Sequence, residues 1–407
     1  MKSLTEIKCI EFFSGIGGMR YAFNTSGVKG KIVASFDLNI VANSVYRFNF
    51  GTNPVTTSIE VLKTADIEKY DANCWLMSPP CQPYTRGGKN LDDKDTRAKP
   101  LLHLIELLPQ LREPPRYIFL ENVVNFEKSQ SREKLVCQLI RMNYEIRECI
   151  LSPLQFGMPN DRKRYYLMAH KKDNETHNYA EKALDYLSNA EIYTSWPFPY
   201  MLNGNENFNI DIPQLSNFLE NINTDSGMDA EKFMELHKVP EKYILKRFNF
   251  KYDIVQASHR KSSCFTKAYG SHHIIGSGSF LQTKKIEVTE YDFTNPGSLL
   301  ELGLRFFTPL EVARLHAFPI KPLETPHETS ENSPEQDTSF AEDSDATKLA
   351  NIPRAFNPKL LVSSINPVYL EFTDDISIIQ RHRLLGNSLN VWVVAELFRC
   401  VLFHRSN

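Results

Sequence analysis

The chain of 407 residues has almost no net charge, because 47 Lys and Arg face 49 Asp and Glu, for a formal charge of −2. This balance excludes a protein whose whole surface is basic, so any nucleic-acid-binding surface must be local. The seven cysteines are odd in number and widely scattered, and no Cys-x-x-Cys spacing occurs. We therefore expect reduced thiols, no disulfide scaffold and no metal site.

Long apolar runs are also missing. Polar residues occupy the first positions, where a signal peptide needs an apolar segment, and we expect no stretch long enough to cross a membrane. We expect no membrane partner. Reduced thiols favour a location in the cytoplasm or also in the nucleus, and we expect a monomer. With 42% hydrophobic and 24% charged residues, the composition is typical of a globular chain of about two domains.

The most informative stretch is Met77–Arg86. The apolar run Cys74–Met77 predicts the end of a buried strand, which Ser78-Pro79-Pro80 must terminate because two prolines remove two backbone donors. Cys81 then lies on a stiff loop beyond a strand's carboxyl end, where ligands bind in open α/β sheets. Its position favours a nucleophile, although an isolated Pro-Cys would more often be a packed thiol in a turn.

The first 50 residues contain a strand, a glycine turn and a helix. Ile7–Phe13 is a β-rich apolar run, Ser14–Gly18 is the turn, and the next predicted strand, Lys31–Phe36, ends in Asp37. A carboxylate about 20 residues past such a turn is typical of ribose binding. Asp37 could equally cap the predicted helix 39–48, and the two roles are compatible.

Two further charged groups are predicted at the same edge of the sheet. Glu121 follows the strand Arg116–Leu120, where it would either face the crevice or cap a turn. Arg162 and Arg164 alternate just before the strand Tyr165–Ala169, so both should point to one face. The alternative for this pair is an ordinary solvated charge run.

Basic residues interleave with aromatic ones over 241–270, a pattern that suits phosphate contacts and base stacking. A half-buried strand pair with solvated lysines is an equally good interpretation. The loop 86–99 is also basic and adjoins Cys81. The candidate RNA-binding residues in these two segments are Arg86, Lys89, Lys246, Arg247, Lys251, Arg260 and Lys267.

Taken together, the motifs resemble the cytosine-5 methyltransferase family in type and order. They are Phe13–Gly18, Asp37, Pro80-Cys81-Gln82, Glu121-Asn122-Val123, Arg162-Lys163-Arg164 and Gly386-Asn387-Ser388. Within that family, Ser78–Arg86 and Cys264–Gly270 look like the eukaryotic branch that methylates cytosine 38 in the anticodon loop of tRNA-Asp. Six co-linear motifs are a strong signal where each alone would be a hypothesis.

This resemblance implies an α/β fold, with a doubly wound, Rossmann-like class I methyltransferase sheet and a smaller target-recognition domain. We expect a catalytic domain over 1–172, completed by 376–407, and a target-recognition region over 173–320. The segment 321–375 is expected to be an acidic, disordered insertion, because 324–345 holds eight acids and no Lys or Arg.

The resemblance also implies the chemistry. Cys81 would attack C6 of cytosine, Glu121 would protonate N3, and Arg162 and Arg164 would favour the thiolate and hold O2. The donor would be S-adenosyl-L-methionine. The residues implied to bind it are Phe13, Ser14, Gly15, Ile16, Gly17, Gly18, Asp37, Leu38, Ile59, Glu60, Ser78, Asn387 and Ser388.

The expected substrate is tRNA, and among tRNAs we expect tRNA-Asp. Weak binding of DNA is expected in addition. Two alternatives stay open at this stage. One is a DNA cytosine-5 methyltransferase with the same active site. The other is a catalytically silent protein that binds the cofactor and nucleic acid, which the intact Cys81, Glu121, Arg162 and Arg164 argue against.

Overall fold

The structure is a computed structural model that describes residues 6–84, 92–173, 179–202, 210–221, 229–271, 277–321, 353–362 and 367–404. Its strands are β1 Ile7–Phe12, β2 Gly30–Phe36, β3 Cys74–Met77, β4 Tyr117–Val123, β5 Tyr144–Leu151, β6 Asn160–Asp161, β7 Arg164–Lys171, β8 Ile192–Tyr193, β9 Ile254–Val255, β10 Ser262–Ser263, β11 Phe280–Leu281 and β12 Arg305–Phe306. Its α-helices are α1 Gly18–Ser26, α2 Ile40–Phe50, α3 Thr64–Glu68, α4 Lys99–Leu107, α5 Gln130–Arg141, α6 Tyr179–Asn189, α7 Ala230–His237, α8 Glu241–Leu245, α9 Pro309–Leu315, α10 Ile378–Gly386 and α11 Val391–Leu397.

A seven-stranded sheet dominates the described residues, in the order β2-β1-β3-β4-β7-β5-β8. The strands β2, β1, β3 and β4 pair in parallel, whereas β7 runs antiparallel to both β4 and β5. The strand order reverses direction at β1, so the sheet is doubly wound and opens a crevice at the carboxyl ends of β1, β3 and β4. The predicted fold class is therefore confirmed.

Both faces of the sheet are covered by helices, because successive strand residues point to opposite sides. Cys74 and Leu76 of β3 join the apolar cluster under α1, α2 and α11. Their neighbours Trp75 and Met77 join the second cluster, under α4 and α5. This two-sided burial explains why β3 reads as a continuous apolar run.

The glycine turn between β1 and α1 needs its glycines for two different reasons. Gly17 has a φ of 88°, and a Cβ there would meet the ring of Phe50 at 2.4 Å. A Cβ on Gly18 would meet the Oγ of Ser388 at 2.9 Å. The turn is therefore wedged between α2 and the segment that precedes α11, which fixes where its backbone amides point.

The region predicted for target recognition is joined to the catalytic domain by a short strand pair outside the seven-stranded sheet. Its small sheet has the order β12-β11-β9, and β10 pairs in parallel with β6, matching Ser262 to Asn160. The Nδ2 of Asn160 also donates to the carbonyl of Ser263, at 2.9 Å. This pairing places Cys264 next to the Arg162 loop.

The segment 321–375 is only partly described, because 322–352, which include the acidic stretch, lie outside the described residues. The described parts pack against the catalytic domain. Arg354 donates from Nε to buried Glu396 at 2.8 Å, and the Glu371 amide donates to the Oδ1 of Asn49 at 2.8 Å. Residues 353–362 and 367–375 thus correct the expectation of a disordered insertion over the described part of 321–375.

The C-terminal helices return to the sheet as the motif order predicts. The stretch Ile378–Leu402 is long and apolar enough to cross a membrane, which corrects the expectation that no such stretch exists. However, 78% of its apolar window is buried inside the protein. Trp392 and Leu397 of α11 are fully buried, as expected of a core helix.

Candidate active site

One cleft of about 400 Å³ opens at the carboxyl ends of β1, β3 and β4. Its lining brings together the four predicted catalytic residues Cys81, Glu121, Arg162 and Arg164. It also contains the predicted cofactor residues Phe13, Ser14, Gly15, Ile16, Gly18, Asp37, Leu38, Ile59, Ser78, Asn387 and Ser388. Nearly all of the predicted site therefore meets in a single cavity, although the residues span most of the chain.

Two of the predicted cofactor residues do not line this cleft in the described part of the chain. Gly17 is turned towards Phe50 and serves the bend itself. Glu60 is exposed on the short 3-10 turn Ile59–Val61, whereas its neighbour Ile59 is buried and lines the cleft. Neighbouring residues that the resemblance groups as cofactor-binding therefore differ in position, because Ile59 and Gly18 line the cleft and Glu60 and Gly17 do not.

Cys81 is half-buried on the loop after β3, and hydrogen bonds tie this loop at two points. The hydroxyl of Ser78 donates to the carbonyl of Phe13 at 2.9 Å, and the Nδ2 of Asn122 donates to the carbonyl of Pro79 at 3.3 Å. The prolines and these anchors hold the thiol between the glycine turn and β4. Asn122 contributes by positioning, which the Glu-Asn-Val motif alone does not reveal.

Glu121 lies within β4, which extends three residues beyond its predicted end. Its Oε1 is 3.4 Å from the Nε of Arg164. Burial raises the pKa of Glu121, and the positive charges of Arg164 and Arg162 oppose that rise. This is the direction expected of a carboxyl group that must carry a proton at one stage of a reaction.

Arg162 is almost completely buried and is held by three backbone carbonyls. It donates to Phe265 at 2.9 Å, to Gly386 at 3.2 Å and to Ser388. The Gly-Asn-Ser motif therefore acts partly through its carbonyls, which fix this guanidinium. Gly386 is required there, because a Cβ would lie 2.3 Å from the backbone of Thr266.

Cys264 is the partner of both arginines, which sequence reasoning missed. Arg162 Nη1 lies 3.3 Å from its sulfur, and Arg164 Nη2 lies 3.5 Å from it. Although burial favours the neutral thiol, the two arginines lower the pKa of Cys264 below its ordinary value. The sequence led us to expect these arginines to favour the Cys81 thiolate, whereas in the structure both of them contact Cys264. The motif Cys264–Gly270 was the available sequence signal, but it gave no indication of this contact.

Asp37 braces the glycine turn. Its Oδ2 accepts from the Gly15 amide at 2.8 Å, and its Oδ1 accepts from the Asn39 amide at 2.7 Å. The cap of α2 is Asn39, whose side chain accepts from the amides of Val41 and Ala42. The capping role considered for Asp37 is thus filled by another residue, and Asp37 lines the cleft.

The cofactor end of the cleft contains a polar atom that fits a ligand. The Oγ of Ser14 is buried and has no hydrogen-bond partner among the described residues. Buried hydroxyls are normally paired, so an unpaired one in a cleft wall favours a polar ligand there. Within the described ranges, no group of three or more His, Cys, Asp or Glu could hold a metal ion.

The candidate RNA-binding residues lie elsewhere. Lys246, Arg247, Lys251, Arg260 and Lys267 are all exposed, and Arg86 and Lys89 lie outside the described residues. Arg260 is already engaged, since its Nη1 donates to Asp211 Oδ1 at 2.9 Å.

The aromatic residues between them are mostly core residues. Tyr252, Phe265 and Tyr269 are buried, whereas Phe248 is 75% exposed. The expectation of an interleaved basic and aromatic surface is therefore corrected to a basic one with Phe248 as its exposed ring in the described part of 241–270.

Comparison with known proteins fits this geometry. The chain matches the family model of the C-5 cytosine-specific DNA methylases over residues 7–337. It is 35% identical to a tRNA (cytosine(38)-C(5))-methyltransferase of Spodoptera frugiperda, across 97% of this chain and 99% of the relative. It is 33% identical to a DNA (cytosine-5)-methyltransferase of Dictyostelium discoideum, across 98% and 95%. The crystal structure of S. pombe Dnmt2 methyltransferase matches with a TM-score of 0.67 and 28% identity, covering 98% of both chains.

Proposed function

This chain belongs to the C-5 cytosine-specific DNA methylase family, and on that premise we propose that it methylates C5 of cytosine in tRNA. The proposed target is cytosine 38 in the anticodon loop of tRNA-Asp. The observation that carries the proposal is the single cleft in which Cys81, Glu121 and Arg164 adjoin the glycine turn and Asp37.

The residues of the cleft suit base activation. The Cys81 thiolate forms a bond to C6 of cytosine while Glu121 gives a proton to N3, so that C5 becomes nucleophilic. Arg164 contacts the Glu121 carboxyl and, in this proposal, also binds the O2 of the base. Loss of the C5 proton to solvent water, return of the N3 proton to Glu121 and elimination of the Cys81 thiolate then restore the aromatic ring.

S-adenosylmethionine supplies the electrophilic methyl group to C5 in this proposal. Its amino-acid end would be held by the backbone of the turn Phe13–Gly18 and by the unpaired Ser14 hydroxyl. Asp37 would accept from the ribose hydroxyls, and Leu38 and Ile59 would contact the adenine. Leu38 is 59% exposed, which suits a side chain that a ligand covers.

The choice of RNA over DNA is supported by the relatives and by the cost of exposing the base. The target must leave any stack to reach the cleft, and a single-stranded loop makes this least costly. The Dictyostelium relative favours DNA as the second candidate substrate, because its printed name is that of a DNA methyltransferase.

One experiment separates these substrates. The purified protein is incubated with S-adenosylmethionine and either tRNA-Asp transcript or duplex DNA, and bisulfite sequencing locates the product. We expect conversion-resistant cytosine at position 38 of the tRNA, and none when cytosine 38 is replaced by uridine. Methylation confined to the duplex would establish the DNA alternative instead.

A further inference from the structure

Phe248 has the most exposed aromatic ring in the described part of the chain, at 75%. Single exposed apolar side chains are common on protein surfaces, so this exposure indicates nothing by itself. The neighbouring residues distinguish it. Leu245, three residues earlier at the end of α8, is also exposed, and Lys246 and Arg247 stand between the two in the sequence.

The charged side chains that surround Phe248 in the sequence are all positive. The stretch 242–252 contains Lys242, Lys246, Arg247 and Lys251 and no acid. All four of these cations are exposed. A flat apolar ring among cations is complementary to a polyanion that also offers flat apolar faces, and single-stranded nucleic acid combines these two properties.

The backbone on either side of Phe248 is anchored. Asn249 has a φ of 54°, a left-handed conformation that asparagine tolerates, and its amide donates to the carbonyl of Phe293 at 2.8 Å. The hydroxyl of buried Tyr252 donates to the carbonyl of Tyr243 in α8 at 3.0 Å. These hydrogen bonds hold the segment in place, so a ligand of the exposed ring would have little chain to order on binding.

We propose that Phe248 is a stacking platform for an unpaired base of the RNA substrate, and that Lys246 and Arg247 bind the phosphates beside that base. The inference rests on the proposed function in taking RNA as the ligand. Unpaired bases of RNA loops stack on aromatic side chains, whereas phosphate contacts position the strand. Stacking and phosphate contacts also differ in their response to salt, because only the phosphate contacts release counterions.

Phe248→Trp turns this position into a fluorescent reporter. The three native tryptophans, Trp75, Trp196 and Trp392, are buried, so the emission of an exposed indole at position 248 can be followed separately at longer wavelength. A base stacked on the indole quenches this emission. The variant is titrated, without cofactor, with tRNA-Asp transcript and with heparin, a polyanion that has no bases. We expect saturable quenching by the tRNA and none by heparin.

Phe48→Trp is the matched control, because Phe48 is also an exposed phenylalanine, at 54%, and lies on α2 outside the cleft lining. Its emission should not change when tRNA binds. Unchanged emission at position 248 would overturn the proposal. Equal quenching at both positions, or equal quenching by heparin, would overturn it as well, because neither result requires a stacked base.

Substitutions of Phe248 test the same contact in the methylation assay. Phe248→Ala should raise the KM for tRNA roughly tenfold, the scale of one lost stacked base, with kcat and the salt dependence of binding nearly unchanged. Phe248→Tyr keeps the ring and should behave like wild type. Phe248→Leu keeps apolar bulk without a ring and should resemble Phe248→Ala. A wild-type KM in Phe248→Leu would overturn stacking, and thermal unfolding checks that every variant is folded.

This inference and the proposed function can fail separately. Methylation of cytosine 38 without quenching at position 248 would overturn the stacking platform and leave the proposed function standing. Quenching without methylation would support the platform and remove the proposed function. Sedimentation of wild type and Phe248→Ala tests a second copy of the chain as the occupant. Concentration-dependent association that is lost in the variant would make this surface a protein interface and overturn the proposal.

Discussion

The charged side chains of the cleft and those of the exposed basic surface of 241–269 lie in different environments. In the cleft, Arg162 is 2% exposed and Glu121 is 9% exposed, and each has fixed partners. On the basic surface, Lys246, Arg247 and Lys251 are exposed to solvent. The difference is physical, because buried charges act at low effective dielectric with little screening, whereas exposed ones are weakened by water and salt.

This difference predicts how each region responds to mutation. A cleft residue has a specific geometric role, so its loss should be severe and insensitive to ionic strength. A residue on the basic surface contributes one phosphate contact among several, so its loss should be modest and strongly dependent on salt. The following variants test that contrast in order of decreasing effect.

Cys81→Ala should abolish methyl transfer while cofactor binding stays nearly intact, since the thiol contacts the base and not the donor. We expect activity to fall more than about a hundredfold, as loss of a covalent nucleophile requires. Transfer of tritiated methyl to tRNA measures it. Cys137→Ala is the matched control and should retain activity. Turnover by Cys81→Ala above a hundredth of wild type would remove Cys81 from the nucleophile's role.

Glu11→Gln should change the pH dependence of stability. Glu11 is fully buried on β1, and burial raises its pKa from 4.5 to about 7, against the hydrogen bond from Tyr46. The folded protein thus keeps a proton that the unfolded chain releases above pH 4.5. Stability from this group is present below that value and is lost as the pH rises through 7, by up to about 3 kcal/mol.

Urea unfolding of wild type and Glu11→Gln at pH 5 and pH 8 measures this difference. The variant cannot ionise at this position, so its loss of stability between the two pH values should be smaller. Glu145→Gln removes an exposed carboxylate on β5 and should leave the pH dependence as it is. Parallel behaviour of wild type and Glu11→Gln would show that Glu11 does not hold the proton.

Asp37→Ala should weaken S-adenosylmethionine binding by about 1–3 kcal/mol, the scale of lost hydrogen bonds to a charged group. The variant also removes the acceptor for the Gly15 amide, so the turn loses its brace. Isothermal titration calorimetry measures the affinity. Glu60→Ala, the exposed neighbour of Ile59, should bind almost normally. Equal affinities for all three proteins would leave Asp37 a purely structural role.

The sequence predicts the cleft well, because its residues stand at the ends of apolar strands. Cys81 and Glu121 each follow a continuous buried run, and parallel strands bring their carboxyl ends to one edge of the sheet. The strand bounds Cys74–Met77 are those that the apolar pattern predicts. Local patterns suffice wherever the function depends on the sheet's own geometry.

Residues that act through long-range contacts could not be predicted in this way. Cys264 reaches Arg162 only because β10 pairs with β6, about a hundred residues away in sequence. The aromatic residues of 241–269 show the converse. The same residue types occur in base-stacking surfaces and in hydrophobic cores, and only their burial in the structure distinguishes the two.

The smallest effect is expected from Lys246→Ala with Arg247→Ala. These side chains follow α8 and are exposed, so removing them should not disturb the core or S-adenosylmethionine affinity. If they contact tRNA phosphates, affinity should fall several-fold at low salt. The log–log slope of affinity against salt should decrease by about 0.7–0.9 for each lost contact.

A charge-matched control makes that small effect decisive. Lys29→Ala with Arg112→Ala also removes one lysine and one arginine, which precede β2 and β4 and therefore lie at the amino-terminal edge of the sheet, opposite the cleft. A general attraction between protein and RNA would fall equally in both double variants, because the net charge changes equally. A slope change confined to Lys246 and Arg247 would instead assign them direct contacts with the RNA. Unchanged affinity and slope in both would leave the basic side chains of 241–269 as solvated residues, with the RNA bound elsewhere.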